Sequence, residues 1–169
     1  MTYVPERMRL VLAKHDDNEV LGGPDRNVRL VTDGSTAGGA LSTIRVKLGG
    51  GDLGAAPHQH RRCTEMFYVL SGAVAVMAGD EIVEGHEGDQ LVVPPNVPHA
   101  FAATSGPGCE VLVVLAPGLD RFDYFRTLVR VQTGELPPGE LLAVAARTDT
   151  YFEQSPLWDA HVEALSTAR

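Results

Sequence analysis

Short stretches of strand-forming residues, separated by glycine and proline, dominate the chain between residues 28 and 118. The 169 residues include 18 glycines and 11 prolines, which interrupt the apolar segments before any of them could form a long helix. At 44%, the hydrophobic content is high enough to build a core, so the chain is not expected to be disordered. This pattern predicts an all-β barrel or sandwich.

The segments themselves give the expected strands. From residue 40 to 48, Ser42, Ile44, Val46 and Leu48 alternate with more polar neighbours, which is typical of a strand with one buried face. Residues 71–72 and 79–80 are interpreted as turns, and 110–115 as a central strand because it is nearly all apolar. We predict strands over 8–13, 28–32, 40–48, 65–70, 73–78, 81–84, 91–93, 99–103 and 110–115.

The character of the sequence changes after residue 118. Apolar residues recur at helical spacing over 119–131, and residues 140–147 predict a second helix. Residues 151–164 form a tail that packs on the preceding part. We therefore expect a β-barrel over 1–118, with its core at 40–118, and a C-terminal helical extension over 119–169. Successive antiparallel strands close into a barrel or jelly roll, which removes exposed edges.

Charge and composition exclude several classes of partner. The net charge of −8, with no basic run longer than Arg61-Arg62, argues against nucleic acid and against anionic membrane surfaces. No segment approaches the roughly 20 apolar residues needed to cross a bilayer. The N-terminus lacks the apolar core of a signal peptide. With only two cysteines, Cys63 and Cys109, we expect a cytoplasmic protein with reduced thiols.

Four residues form a candidate metal site. His58 and His60 are two apart on an extended chain, so they point to the same face. Glu65 heads an otherwise apolar strand face, where an unpaired carboxylate would be costly to bury, and His99 opens a later strand. Three nitrogens and one oxygen suit one divalent transition metal per chain: Fe, Mn, Ni, Co, Cu or Zn. Phe67 and Phe101 share faces with these ligands and are predicted to line a substrate pocket.

The two segments that carry these residues resemble the two motifs of the cupin superfamily. The first has His58, His60, Glu65 and Gly72, and the second has Gly88, Pro94 and His99. Asn96 stands where a glycine is usual, but asparagine tolerates left-handed backbone angles. A leading glycine is one position out of register, at Gly51. The resemblance implies a cupin double-stranded β-helix, the jelly-roll barrel, with His58, His60, Glu65 and His99 as metal ligands.

The wider pattern over roughly 20–160 is similar to the single-domain quercetin 2,3-dioxygenase-like cupins. Segments 36–39, 67–72, 97–101, 116–118 and 122–125 carry this similarity. It implies a metal-dependent dioxygenase that acts on a small enolic or aromatic compound, with Glu65 as a possible catalytic base. A metal-dependent isomerase, cyclase or lyase, and a non-catalytic small-molecule-binding cupin, are the alternatives. It also implies a homodimer, for which 8–13 would be the pairing strand.

Overall fold

Strands are the predominant regular structure in the part of the chain that the computed structural model describes, residues 10–167. In chain order, these strands are β1 (Val20–Gly22), β2 (Asn27–Thr32), β3 (Ser42–Leu48), β4 (His58–Gln59), β5 (Thr64–Ala78), β6 (Glu81–His86), β7 (Gln90–Val93), β8 (His99–Ala103), β9 (Cys109–Ala116) and β10 (Tyr151–Phe152). The helices are α1 (Phe122–Gln132), α2 (Pro138–Arg147) and α3 (Pro156–Thr167). The expected all-β barrel with a C-terminal helical tail is confirmed.

The long strand β5 organises the barrel. Its first half pairs with β7 and β9, and its second half pairs with β6 and β8, always antiparallel. β9 also pairs with β3, and β3 with β2, while β8 pairs with β4. β5 therefore belongs to both layers of a double-sheet jelly roll, and the side chains of its inner face point into the space between them.

The core lies on the inner faces that the alternation of the sequence predicted. Ile44, Val46 and Leu48 of β3 are buried, as are Phe67 and Val69 of β5. The intervening Tyr68 is exposed on the outer face. Because side chains alternate along a strand, one register places every one of these apolar residues inside.

A bend replaces the turn that was predicted at residues 71–72. The chain continues through Gly72 as one strand, with a register shift against β9 between Val69 and Ser71. Gly72 has a φ of 71°, and its backbone lies tightly against Gly108. The prediction of two separate strands was wrong because a bulged strand can change direction without ending.

We expect Gly72→Ala to destabilise the barrel more than Gly79→Ala does. A Cβ on Gly72 would lie 1.9 Å from the carbonyl oxygen of Gly108, whereas Gly79, with a similar φ of 64°, has no heavy atom within 4 Å of that position. Both variants carry the left-handed backbone penalty of about 1–2 kcal/mol, and Gly72→Ala adds a further ~1–3 kcal/mol of overpacking. Urea unfolding of both variants checks this, and equal losses would contradict it.

The two ends of the described chain differ from the prediction. Residues 10–13 form no strand, so the strand predicted over 8–13 is wrong there, and residues 8 and 9 lie outside the described part. At the other end, the first two helices follow the prediction closely, but the tail contains a strand, β10, which pairs with β4. The buried Trp158 of α3 packs with Met77, Ala100 and Ala102 on the barrel.

No helix among residues 10–167 is both long enough and apolar enough to cross a membrane. The boundary at residue 118, the cytoplasmic location, the absence of nucleic-acid partners and the homodimer stay predictions.

Candidate metal centre

Neighbouring elements bring the four predicted ligands together. His58 of β4 lies opposite His99 of β8 in the sheet, His60 follows β4, and Glu65 lies near the start of β5. Their exposed fractions are only 1–6%. One ligand atom from each residue lies within 4.8 Å of the other three.

Backbone carbonyls orient the three imidazoles. Nδ1 of His58 is 2.8 Å from the carbonyl oxygen of Ala56, Nδ1 of His60 is 2.6 Å from that of Asp149, and Nδ1 of His99 is 2.9 Å from that of Val97. A carbonyl only accepts, so each Nδ1 carries the hydrogen and donates it. This leaves each Nε2 directed towards the cluster, the tautomer that a metal-binding histidine needs.

Glu65 lies at the centre of the cluster. Its Oε2 atom is 2.6 Å from Nε2 of His99, 3.0 Å from Nε2 of His60 and 3.9 Å from Nε2 of His58. Burial by itself raises the pKa of the Glu65 carboxyl, but hydrogen bonds from His60 and His99 outweigh burial and hold the pKa well below its ordinary value. Glu65 is therefore a carboxylate at neutral pH.

The histidines respond differently to the same surroundings. Burial, followed by the charge of His99, lowers the pKa of His58 to about 3, so this ring is neutral. Burial also acts to lower the pKa of His99, but the hydrogen bond and charge of Glu65 outweigh it and raise that pKa. Metal binding requires neutral rings and one carboxylate, so a metal ion would displace the protons that Nε2 of His60 and of His99 donate to Glu65.

The donor set fits one divalent transition metal. Ligands about 2.0–2.2 Å from one ion are separated by roughly 3–4.4 Å. The separations of Glu65 Oε2 from His60 and His58 are 3.0 and 3.9 Å, and the 2.6 Å hydrogen bond to His99 would lengthen by a few tenths of an ångström on metal binding. Three imidazole nitrogens and one carboxylate oxygen do not choose among Fe, Mn, Ni, Co, Cu and Zn. The cluster is thus compatible with a metal ion of unspecified identity.

Three of the clustered residues, His58, His60 and Glu65, line a cavity of about 510 Å³. Apolar side chains from the inner barrel faces and from the first two helices form most of the lining, and they include Ile44, Val46, Leu48, Val113, Leu115, Phe125, Leu128, Val129 and Leu141. Phe101 lines the cavity, whereas Phe67 is fully buried against Phe101, with ring centroids 5.2 Å apart. Their role in a substrate pocket stays a prediction.

The family model described as "Cupin domain" matches residues 44–115, a range that contains all four clustered residues. The solved structure of KdgF from Halomonas sp. has a TM-score of 0.54 and 26% sequence identity, and the match covers 63% of this chain and 94% of that one. The chain contains a cupin domain. Its jelly roll is the fold that the motifs implied.

Two further proteins are similar to this chain, one in sequence and one in fold. The quercetin 2,3-dioxygenase of Bacillus subtilis (strain 168) is 34% identical over 83 residues, which are 49% of this cupin. Those residues span only 24% of the length of that relative. Pac13, a nucleoside dehydratase, has a TM-score of 0.53 at 17% identity over 68% of this chain and 88% of its own, which shows a shared fold.

The second cupin motif departs from the usual pattern at Asn96, and the structure shows how it is accommodated. Asn96 adopts a φ of 64°, as expected for a residue in place of glycine. Its backbone N–H donates to the carbonyl oxygen of His60 at 2.6 Å. The second motif therefore supports the loop that carries the first.

Asp149 is a site residue that sequence analysis missed. It is fully buried between α2 and β10, and its carboxylate accepts hydrogen bonds from the backbone N–H groups of Arg61, Arg62 and Cys63 at 2.9–3.2 Å. Burial opposes ionisation, but these donors outweigh it and lower the pKa of Asp149. The carbonyl oxygen of Asp149 also accepts a hydrogen bond from Nδ1 of His60. These bonds attach the C-terminal extension to the loop that carries the ligands.

Arg121 and Tyr124 were also missed. Both are buried, both line the cavity, and both lie at the start of α1, which was expected only to pack on the barrel. A lone arginine after a Pro-Gly turn carries no sequence signal for a pocket, because its place depends on how the helix docks.

The remaining candidates have other surroundings. Cys63 is buried and free, donating to the carbonyl oxygen of Pro117 at 3.2 Å, and burial raises the pKa of its thiol. Cys109 is free in the core, and burial raises its pKa to about 11. His86 is exposed beside Glu84, as predicted. The structure places none of these three side chains among the clustered ligands.

Proposed function

We propose that this cupin is a metal-dependent oxidoreductase of the dioxygenase type that acts on a small enolic or aromatic compound. The observation that carries the proposal is that three of the four clustered residues, His58, His60 and Glu65, line an apolar cavity large enough for such a molecule. The similarity to a quercetin 2,3-dioxygenase over 83 residues favours this chemistry.

The four clustered residues would hold the metal, and a redox-active metal supplies Lewis acidity and electron transfer to dioxygen when bound. Nδ1 of each histidine stays bonded to its carbonyl, so the rings keep their orientation. The apolar walls exclude bulk water and favour a planar, weakly polar molecule.

Glu65 would take the proton of the enolic hydroxyl. Its Oε2 atom is committed to His60 and His99, while Oε1 has no hydrogen-bond partner among the described residues and the side chain borders the cavity. Because its pKa is low, the carboxylate is ionised and able to accept at neutral pH. Oε1 is therefore the atom at which we place the proton.

The test is oxygen consumption by protein reconstituted separately with Fe, Mn, Ni, Co, Cu and Zn, with quercetin and smaller enolic and phenolic compounds as substrates. We expect consumption with at least one redox-active metal, none with zinc, and a loss of about 100-fold or more in Glu65→Gln. His86→Ala is the matched control, since that side chain is exposed and remote from the cluster.

Product formation at the same rate under argon would contradict dioxygenation and would favour the isomerase or lyase alternative. Ligand-induced thermal stabilisation with no turnover under either atmosphere would instead favour a binding protein.

A further inference from the structure

Arg121 is a buried cation beside the candidate metal centre. It immediately precedes α1, its exposed fraction is 3%, and it lines the same cavity as His58, His60 and Glu65. Its charge reaches the cluster, because it acts to lower the pKa of His99. A guanidinium in this position is desolvated and close to where a substrate would react.

The side-chain partners of Arg121 are neutral. One terminal nitrogen, Nη1, donates to Oγ1 of Thr150 at 3.1 Å, and Nη2 donates to Sγ of Cys63 at 3.5 Å. The Nε atom is buried without a hydrogen-bond partner, and among the described residues no carboxylate forms an ion pair with Arg121. Buried charges are usually paired, so this guanidinium has capacity for an anion.

The charged residues of the cavity wall also favour an anion. Glu65 is the one acidic side chain among the described residues that line the cavity, and it is committed to the histidines. The lining contains two guanidinium groups, those of Arg26 and Arg121, and a divalent metal would add positive charge when bound. The charged side chains of the cavity wall are therefore mainly cationic, although the chain carries a net charge of −8.

We propose that Arg121 anchors a carboxylate group of the substrate, so that the cavity selects small aromatic or enolic carboxylates over their neutral analogues. This inference rests on the proposed function, since it places the substrate in the same cavity. A planar guanidinium matches a carboxylate, and the bond is strengthened where water is excluded.

Tyr124 supplies a second donor. Its ring lines the cavity one helical turn from Arg121, and its hydroxyl makes no hydrogen bond within residues 10–167. Burial raises the pKa of this phenol to about 12, so it stays protonated and can donate to the same anion. Arg121 and Tyr124 thus form a polar end in a cavity with mostly apolar walls.

The experiment measures binding of benzoate and of benzamide by calorimetry, to the metal-free and the metal-loaded protein. We expect the wild type to prefer benzoate in both forms, and Arg121→Gln to weaken benzoate binding ~10- to 100-fold while changing benzamide binding little. Arg121→Lys keeps the charge but loses the planar fork, so it should show an intermediate loss. Tyr124→Phe should weaken benzoate binding less than Arg121→Gln does.

Arg130→Gln is the matched control, because it removes the same charge from the exposed face of α1. Thermal unfolding tests whether each variant is folded. If Arg121→Gln does not fold, Arg121→Lys takes its place in the binding experiment. Equal affinity of the wild type for benzoate and benzamide, or an unchanged preference in Arg121→Gln, would overturn the proposal.

The outcomes separate the two proposals. A protein that turns over neutral enols with a metal, and whose Arg121 variants do not alter carboxylate preference, would support the proposed function and overturn the anchor. Benzoate binding that depends on Arg121 in a protein without oxygenase activity would support the anchor and contradict the dioxygenase.

Discussion

His60→Ala is expected to lose its bound metal. Nε2 of His60 is one of the four clustered ligand atoms, and its ring is fixed on the opposite side by the carbonyl of Asp149. Removing a ligand should lower the metal affinity by more than the roughly 10- to 100-fold loss that follows from changing a residue that only supports a ligand. After dialysis against a weak chelator, elemental analysis should find about one metal per chain in the wild type and close to none in His60→Ala.

His86→Ala is the control for this experiment, because it also removes one imidazole but leaves the cluster intact. His58→Ala should behave as His60→Ala does. Unchanged metal content in both cluster variants would contradict the assignment of these residues as ligands, and a failure of the wild type to retain any reconstituted metal would indicate a barrel that has lost this role.

Asp149→Ala is expected to have the largest effect on stability outside the barrel core. The substitution leaves three backbone N–H groups, those of Arg61, Arg62 and Cys63, without their acceptor. The cost is about 3 kcal/mol or more, since each hydrogen bond to a charged group contributes roughly 1.5–3 kcal/mol and solvent recovers part of it. Urea unfolding at neutral pH measures the change in the free energy of unfolding.

Asp149→Asn separates the carboxylate from the backbone. Asp149 has a φ of 59°, a conformation that asparagine tolerates and alanine does not, so the asparagine variant retains the backbone but loses the charge and one of its two acceptor oxygens. We expect it to lose less stability than Asp149→Ala. Metal affinity should fall in both, because the loop between His60 and Glu65 is no longer held. Wild-type stability in both variants would show that Asp149 does not support the ligand loop.

The C-terminal extension therefore takes part in the site as well as covering the barrel. Asp149 holds the ligand loop from behind, Arg121 and Tyr124 face the cavity, and β10 extends the sheet beside β4. We propose that the segment over 119–169 is required for metal binding and for substrate selection. A barrel with ligands alone would lack both the support and the polar end of the cavity.

Local sequence pattern was sufficient to predict the buried strand faces, the residues that cluster and the first two helices. The two-residue period of apolar residues predicts which face of β3 is buried. The same alternation of side chains places His58 and His60 on one side of an extended chain. The order of the two motifs was sufficient to name the four residues that cluster, because cupin strands bring these positions together. Helical spacing likewise predicted α1 and α2 close to their observed bounds.

The contacts of Asp149, Arg121 and the two phenylalanines could not be predicted, because they depend on how distant segments pack. Asp149 is 87 residues from Arg62 and Arg121 is 58 from Cys63, and no local period relates such pairs. Phe67 and Phe101 both follow the inward pattern, but only Phe101 lines the cavity, with Phe67 packed against it. A sequence pattern specifies the direction of a side chain relative to its own strand or helix, whereas the neighbour it meets is set by the packing of the whole chain.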